Sequence, residues 1–187
     1  MIEHRLLGQA NCKLLRKGGI EANHVKLTHR DTIGPNFLDN LSSYARLVSH
    51  MRPILPRNSL LGLRDMAAEN WNIRDHANVL YTVFPCNQFL VMQDHVGWIS
   101  MRPLAPDRIE LRLTTLAPRD ESTADKAAHW ARNQKITETT LNEDLSVNGA
   151  AQAGVASGAN EALLFGDYEG ALHAFDAQVE ARLSKAG

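Results

Sequence analysis

His24 and His29 stand five positions apart, with an acid, Glu21, three residues before the first. Imidazole pairs suit Zn, Cu, Fe or Ni, and two histidines plus one carboxylate with open positions mark non-haem Fe(II) oxygenases. Asp144, in Asn142-Glu143-Asp144-Leu145, is the candidate carboxylate. On a regular helix positions i and i+5 point about 140° apart, so the two histidines can share an ion only at a helix end or across a break. Asp31-Thr32-Ile33-Gly34-Pro35 is a turn signal placed to supply one. Two surface histidines beside a turn are the plainer alternative.

A helix beginning near Thr140 would carry an inner stripe of Leu141, Leu145, Asn148, Gln152 and Val155, with Asp144 on its border. Buried polar groups cost free energy unless paired, and a metal would pair the carboxylate. The alternative is an acid in a first helical turn, where the helix dipole alone favours it. Other chemistry is absent. There is no phosphate-binding glycine loop, no GxSxG elbow and no HExxH. Cys86, in Phe84-Pro85-Cys86-Asn87, reads as a small buried hydrophobe rather than a nucleophile. His50, His76, His95, His129 and His173 show no ligand spacing.

The elements that must position these groups divide the chain in two. Residues 9–17 start a strand or helix that Gly18-Gly19 breaks, and 20–30 read as a helical turn or two. Phe37, Leu41, Tyr44 and Leu47/Val48 recur at helical spacing, which predicts a helix over 36–50. Residues 57–76 read as a loop with a short helix near Arg64–Asn70. Asn78–Phe84, Gln88–Met92, His95–Ser100 and Arg108–Thr114 read as four successive strands, with a turn at Arg102–Asp107. Strands without intervening helices imply an antiparallel sheet. After Ala117-Pro118-Arg119-Asp120 the chain turns helical: one helix over 123–135, a second over 141–156 with Thr140-x-x-Glu143 as capping box, and a last over 168–184. Ser157-Gly158-Ala159-Asn160 ends the second. The class is α+β, an antiparallel sheet wrapped around long C-terminal helices.

Composition narrows the function. The 187 residues are expected to form a single domain, 1–187, with 44% hydrophobic and 22% charged residues, as in a soluble globular protein. A formal net charge of −1, with scattered Lys and Arg, gives no electrostatic footprint for nucleic acid. No run of 18 apolar residues predicts a membrane span. Met1-Ile2-Glu3-His4-Arg5 does not read as a signal peptide, and two cysteines without CxxC fit a reducing cytoplasm. Aromatic residues, at 6%, weigh against an aromatic cage for quaternary ammonium groups.

The ordered set of motifs resembles one family. Asn11-Cys12-Lys13-Leu14, then Glu21-Ala22-Asn23-His24 and His29, resembles the NWK…(D/E)xYHxxxxH segment of Rieske non-haem iron oxygenase large subunits. His76-x-Asn78 through Tyr81-x-Val83-Phe84-Pro85-Cys86-Asn87, and Arg102-Pro103-Leu104-Ala105-Pro106-Asp107-Arg108, look like that family's sheet. Asn142-Glu143-Asp144 through Gln152-x-Gly154, then Phe165-Gly166-x-x-Glu169 and Phe175, are similar to its C-terminal helices. The resemblance covers nearly the whole chain.

It implies a helix-grip (START-like) catalytic domain whose mononuclear Fe(2+) is held by His24, His29 and Asp144. Glu21 would pass electrons from a Rieske [2Fe–2S] cluster on another chain, within a trimer in that family. The implied activity is O₂-dependent mono- or dihydroxylation, or dealkylation, of a small organic, ring-containing substrate. The implied partners are substrate, O₂ and a Rieske or ferredoxin-reductase donor in trans, with a homotrimer possible. Rieske ligation needs two Cys and two His per cluster. The family's CxH…CxxH precedes the NWK segment, and no such motif occurs here, so this chain is expected to hold no cluster of its own. Cys12 stands where the family has tryptophan and Asn23 where it has tyrosine, both expected in the iron shell or its support. Other readings stay open: a non-catalytic small-molecule-binding helix-grip domain, a truncated remnant of such an oxygenase, and an α+β domain with an interaction role.

Overall fold

Leu113 and its neighbours show how the sheet is built. Along the strand 108–116, Ile109, Leu111 and Leu113 alternate with Glu110 and Arg112; the three apolar side chains are fully buried. Glu110 faces the other side, where Arg102 and Arg112 each pair with it at 3.2 Å. One face is therefore apolar and covered, the other charged.

The computed structural model describes residues 2–119, 123–159 and 162–185. Seven strands form one antiparallel sheet: β1 (Ile2–Gly8), β2 (Ser43–Leu47), β3 (His50–Pro56), β4 (Ala77–Val83), β5 (Asn87–Val91), β6 (Val96–Ala105) and β7 (Arg108–Leu116). Their order is β1-β7-β6-β5-β4-β3-β2. The first strand pairs with the last, Leu6 opposite Leu111, so the chain between β1 and β2 must cross the sheet. That crossing carries α1 (Cys12–Gly18) and α2 (Val25–Thr28). A four-residue turn, α3 (Ile73–His76), precedes β4, and two long helices follow the sheet: α4 (Ala124–Ala156) and α5 (Gly170–Leu183).

α4 has 33 residues, about 50 Å at 1.5 Å per residue. Its buried side chains, Trp130, Gln134, Leu141 and Leu145, recur at the helical period. Leu141 and Leu145 join Leu6, Leu15, Ile99 and the β7 side chains in the main core cluster. Gln134 Oε1 accepts from the Thr115 hydroxyl at 2.6 Å, satisfying both buried groups. A second cluster packs Leu172 and Phe175 of α5 against Ile20 and Met51.

α1 is tied down on three sides. Asn11 caps it by accepting from Lys13 N, while its own backbone N–H donates to Gln152 Oε1 on α4 at 2.8 Å. The buried Arg16 guanidinium donates to Asn87 O at 2.7 Å and Val83 O at 2.5 Å. Burial lowers its pKa to about 10, against the raising effect of Cys86 and Cys12. Lys17 pairs with Asp176 of α5 at 2.7 Å. The crossing segment is thereby fixed between sheet and helices.

The α+β class, the four expected strands and the final helix are present, with four corrections. The helix expected over 36–50 is instead an edge hairpin, β2–β3, with Val48 at φ 58° in its turn. Of the residues that suggested it, Phe37 is buried but Leu41, Tyr44 and Leu47 are exposed. The pairing of β2 with β3 overrides the spacing. The two helices expected over 123–135 and 141–156 are one, because the hydroxyls of Thr137, Thr139 and Thr140 donate to carbonyls four residues back and leave the ladder running. Thr140 is therefore no capping residue; Thr123 caps α4, accepting from Lys126 N. The turn expected over 102–107 contracts to Pro106-Asp107, since β6 continues to Ala105 with a bulge. Residues 58–65 and 68–70 form 3₁₀ turns rather than one helix near Arg64–Asn70. Asp120 and Asn160, expected at helix boundaries, lie outside the described residues.

Candidate metal centre

α2 is only four residues long, and the two histidines stand at its ends: His24 at the N-cap and His29 at the C-cap. That placement removes the divergence a regular helix would impose on i and i+5. The rings meet edge to face, centroids 5.2 Å apart. Gly34 holds the second of them in place. Its N–H donates to His29 O at 2.8 Å, and a Cβ there would lie 2.8 Å from that oxygen.

Asp144 comes from the middle of α4, not from a first turn, so the helix-dipole alternative does not describe it. Its Oδ1 lies 3.2 Å from His29 Nε2 and 3.5 Å from His24 Nε2. One ligand atom from each of the three residues lies within 4.8 Å of the other two. Two imidazoles and one carboxylate on one side of a cavity suit Fe(II), which displaces their protons on binding, and leave positions open. The donor set fits the metal that the sequence resemblance implied.

Each outer imidazole nitrogen has its own acid. His24 Nδ1 contacts Glu21 Oε1, whose other oxygen accepts from Asn23 N at 2.6 Å. His29 Nδ1 is 2.7 Å from Glu143 Oε2, which also accepts from the Thr32 hydroxyl at 2.8 Å. Such partners fix the tautomer and ring direction and raise ligand basicity. Burial opposes charge on His24, but Asp144 and Glu21 outweigh it and raise its pKa to about 9. His29 is raised too: burial opposes charge, and Asp144 and then Glu143 overcome it. Burial pushes Asp144 up, yet the hydrogen bonds from His24 and His29 hold it below the usual carboxylate range.

An apolar cavity of about 110 Å³ opens on one side of these groups, with Val25, Ile33, Phe37, Leu80, Leu90 and Ile99 among its walls. Asn78, Gln88, Thr137 and Thr140 are its uncharged polar groups, and among the described residues no Lys or Arg lines it. A second, more open depression lies on the other side, where Lys17, Glu21, Asn23 and Glu169 face His24 and Asp144.

Four candidate residues thus come together: Glu21, His24, His29 and Asp144. Glu143 was missed as a partner because a Thr-x-x-Glu pattern assigned it to a cap; its place beside Asp144 was the available signal. The two positions that depart from the resembled motif part company. Asn23 borders the site, whereas Cys12 packs half-buried against the main core cluster. Cys86 packs there too, and burial pushes its thiol pKa up. His95 and His129, which lacked any ligand spacing, meet at Asp94.

The structure resembles the quaternary ammonium Rieske monooxygenase CntA in complex with L-carnitine, at 14% identity and TM-score 0.69, over 97% of this chain and 48% of that one. It resembles naphthalene 1,2-dioxygenase with indole bound in the active site, at 12% identity and TM-score 0.68, over 98% and 54%. Dicamba monooxygenase bound to dicamba matches at 14% identity and TM-score 0.64, over 100% and 59%. The chain therefore spans about half the length of these proteins, and the likeness shows a shared fold of the helix-grip type. No curated protein sequence matches it. Residues 2–185 match the family described as ring hydroxylating alpha subunit (catalytic domain), and the chain belongs to that family.

Proposed function

We propose that this chain is the catalytic domain of a Rieske-type oxygenase, hydroxylating a small, uncharged, largely apolar organic substrate with O₂ and externally supplied electrons. One observation carries the reading: two imidazole Nε2 atoms converge on one carboxylate oxygen, at 3.2 and 3.5 Å, beside an apolar cavity.

His24, His29 and Asp144 would hold Fe(II). When bound, that ion supplies O₂ activation and electron acceptance. The rest falls to the chain. Glu143 and Thr32 keep His29 Nε2 directed at the site. Glu21 does the same for His24 and faces the open depression, so it is the group through which an electron donor on that side would couple. The apolar walls exclude water and orient a hydrocarbon. Asn78 and Gln88 offer hydrogen bonds to one polar substituent. With no Lys or Arg for a carboxylate among the described residues, and Phe37 as the aromatic wall, the cavity suits neither an acid nor a quaternary ammonium ion.

The test is anaerobic Fe(II) loading, desalting and elemental analysis, followed by turnover with a Rieske donor, O₂ and an apolar hydrocarbon. The expected result is iron retained by the wild type, lost in His24→Ala, His29→Ala and Asp144→Ala, with hydroxylated product from the wild type. Full occupancy in one variant removes that residue from the site. No iron in the wild type overturns the reading.

A further inference from the structure

Asp94 and His95 form the turn between β5 and β6, closed by Met92 N donating to His95 O at 3.0 Å. His129 and Trp130 lie in the second turn of α4 and face that turn. His95 Nδ1 is 2.8 Å from Asp94 Oδ1, His129 Nε2 is 3.2 Å from Asp94 Oδ2, and Trp130 Nε1 donates to Oδ2 at 3.1 Å. The ligand atoms of Asp94, His95 and His129 lie within 4.8 Å of one another. His129 and Asp144 are 15 residues apart on α4, about 22 Å of helix rise, so this cluster is separate from the first.

Hydrogen bonds alone leave this cluster incomplete. His95 is 3% exposed, and its Nε2 is buried without a hydrogen-bond partner. With its proton on Nδ1, the ring buries a bare lone pair; doubly protonated, it buries a bare N–H. Either state is penalised. A cation that takes the Nε2 lone pair removes the penalty and leaves the Nδ1 proton to Asp94 Oδ1. Asp94 Oδ1 keeps the His95 Nδ1 proton, and Oδ2, beside His129, has a lone pair for an ion besides the one that takes the Trp130 N–H. Lys126 Nζ stands 3.9 Å from Asp94 Oδ2, at the long limit of an ion pair, and its side chain is 44% exposed. His129, 42% exposed, leaves a path of entry.

We propose that Asp94, His95 and His129 form a second metal site, taking a borderline divalent cation such as Zn²⁺. Two imidazoles and one carboxylate are a common donor set for that ion. Bound there, it staples the start of α4 to the β5–β6 turn, so its binding energy adds to folding stability. The site is structural, and it owes nothing to the reading of the first.

The experiment uses full-length protein stripped with EDTA and titrated with Zn²⁺ by calorimetry. His24→Ala/His29→Ala removes the first site, and His129→Ala is added in that background. The expected result is one Zn²⁺ for the double variant and none for the triple. At a hundredfold excess over Kd, Zn²⁺ should raise Tm by about 5 °C or more in the double variant and not in the triple. No Zn²⁺ binding by the double variant overturns the proposal and leaves Asp94 as a hydrogen-bonded staple. If circular dichroism shows the double variant unfolded, wild type is compared with the single His129→Ala. Two ions against one supports the site, and equal stoichiometry overturns it. Zinc on the double variant with no iron on the wild type would uphold this site and sink the oxygenase reading.

Discussion

Glu143 Oε2 lies 2.7 Å from His29 Nδ1, while the very next residue, Asp144, faces the other nitrogen of the same ring at 3.2 Å. Consecutive positions on α4 thus hold both ends of one imidazole that is itself 2% exposed. Glu143→Ala should weaken metal binding by roughly 10–100-fold, the range for lost outer partners of ligand histidines. Glu143→Gln, which keeps an acceptor oxygen, should restore most of it. Metal titration against a competing chelator reads the difference, and an unchanged affinity in the alanine variant would remove Glu143 from the site.

Glu21 plays the matching part on His24, from the side of the open depression. Glu21→Gln keeps an acceptor for Nδ1–H but loses the charge. It should retain iron and lose coupled turnover with a Rieske donor. Iron content and product yield are measured on the same samples; full turnover in the variant would exclude a role in electron delivery.

Protons compete with the metal. His24 has a pKa raised above its ordinary 6.5 to about 9, and His29 is raised as well. Metal must displace those protons, so affinity should rise with pH up to about 9 and loading at neutral pH should release protons. The same shifts act on the stability of metal-stripped protein. A raised folded-state pKa stabilises fully below pH 6.5, and that stabilisation is lost as pH rises through about 9. Tm of stripped protein should therefore fall over that window, and the fall should shrink in His24→Ala. A Tm profile identical in wild type and variant would contradict the shift.

Gly34 is the tight spot behind His29. A Cβ there would meet backbone, His29 O at 2.8 Å and Val25 O at 3.0 Å, which cannot swing aside as a side chain can. Gly34→Ala should lower Tm and reduce iron occupancy together. Wild-type values for both would show that the loop accommodates the methyl group.

Leu145 tests the joint between α4 and the sheet. It is 8% exposed in the main core cluster, one residue beyond Asp144. Leu145→Ala should destabilise by about 2–5 kcal/mol through lost burial and the cavity left behind. Urea unfolding measures it, and a loss below about 1 kcal/mol would mean the site collapses around the smaller side chain.

Much of the molecule follows from local pattern. The alternation in Arg108–Thr114 and the stripe of Leu172 and Phe175 specify an element by period, because each buries one face, and the run at Asn78–Phe84 does so by its β-branched and aromatic composition. The spacing of Glu21, His24 and His29 and the acid at Asp144 suffice to name a candidate donor set. What the sequence leaves undecided depends on partners remote in the chain. Thr140 reads as the cap of a second helix until its hydroxyl, with those of Thr137 and Thr139, finds a carbonyl of one continuous helix. Tyr44 and Leu47 read as helical until β3 offers them a ladder. Glu143 looks like a cap until His29, 114 positions away, is brought against it. Asp94, His95 and His129 carry no spacing rule, since two lie in a turn and one on a helix. Local period is written in neighbouring residues; convergence of side chains is decided only when β1 pairs with β7 and the chain from β1 to β2 is drawn across the sheet.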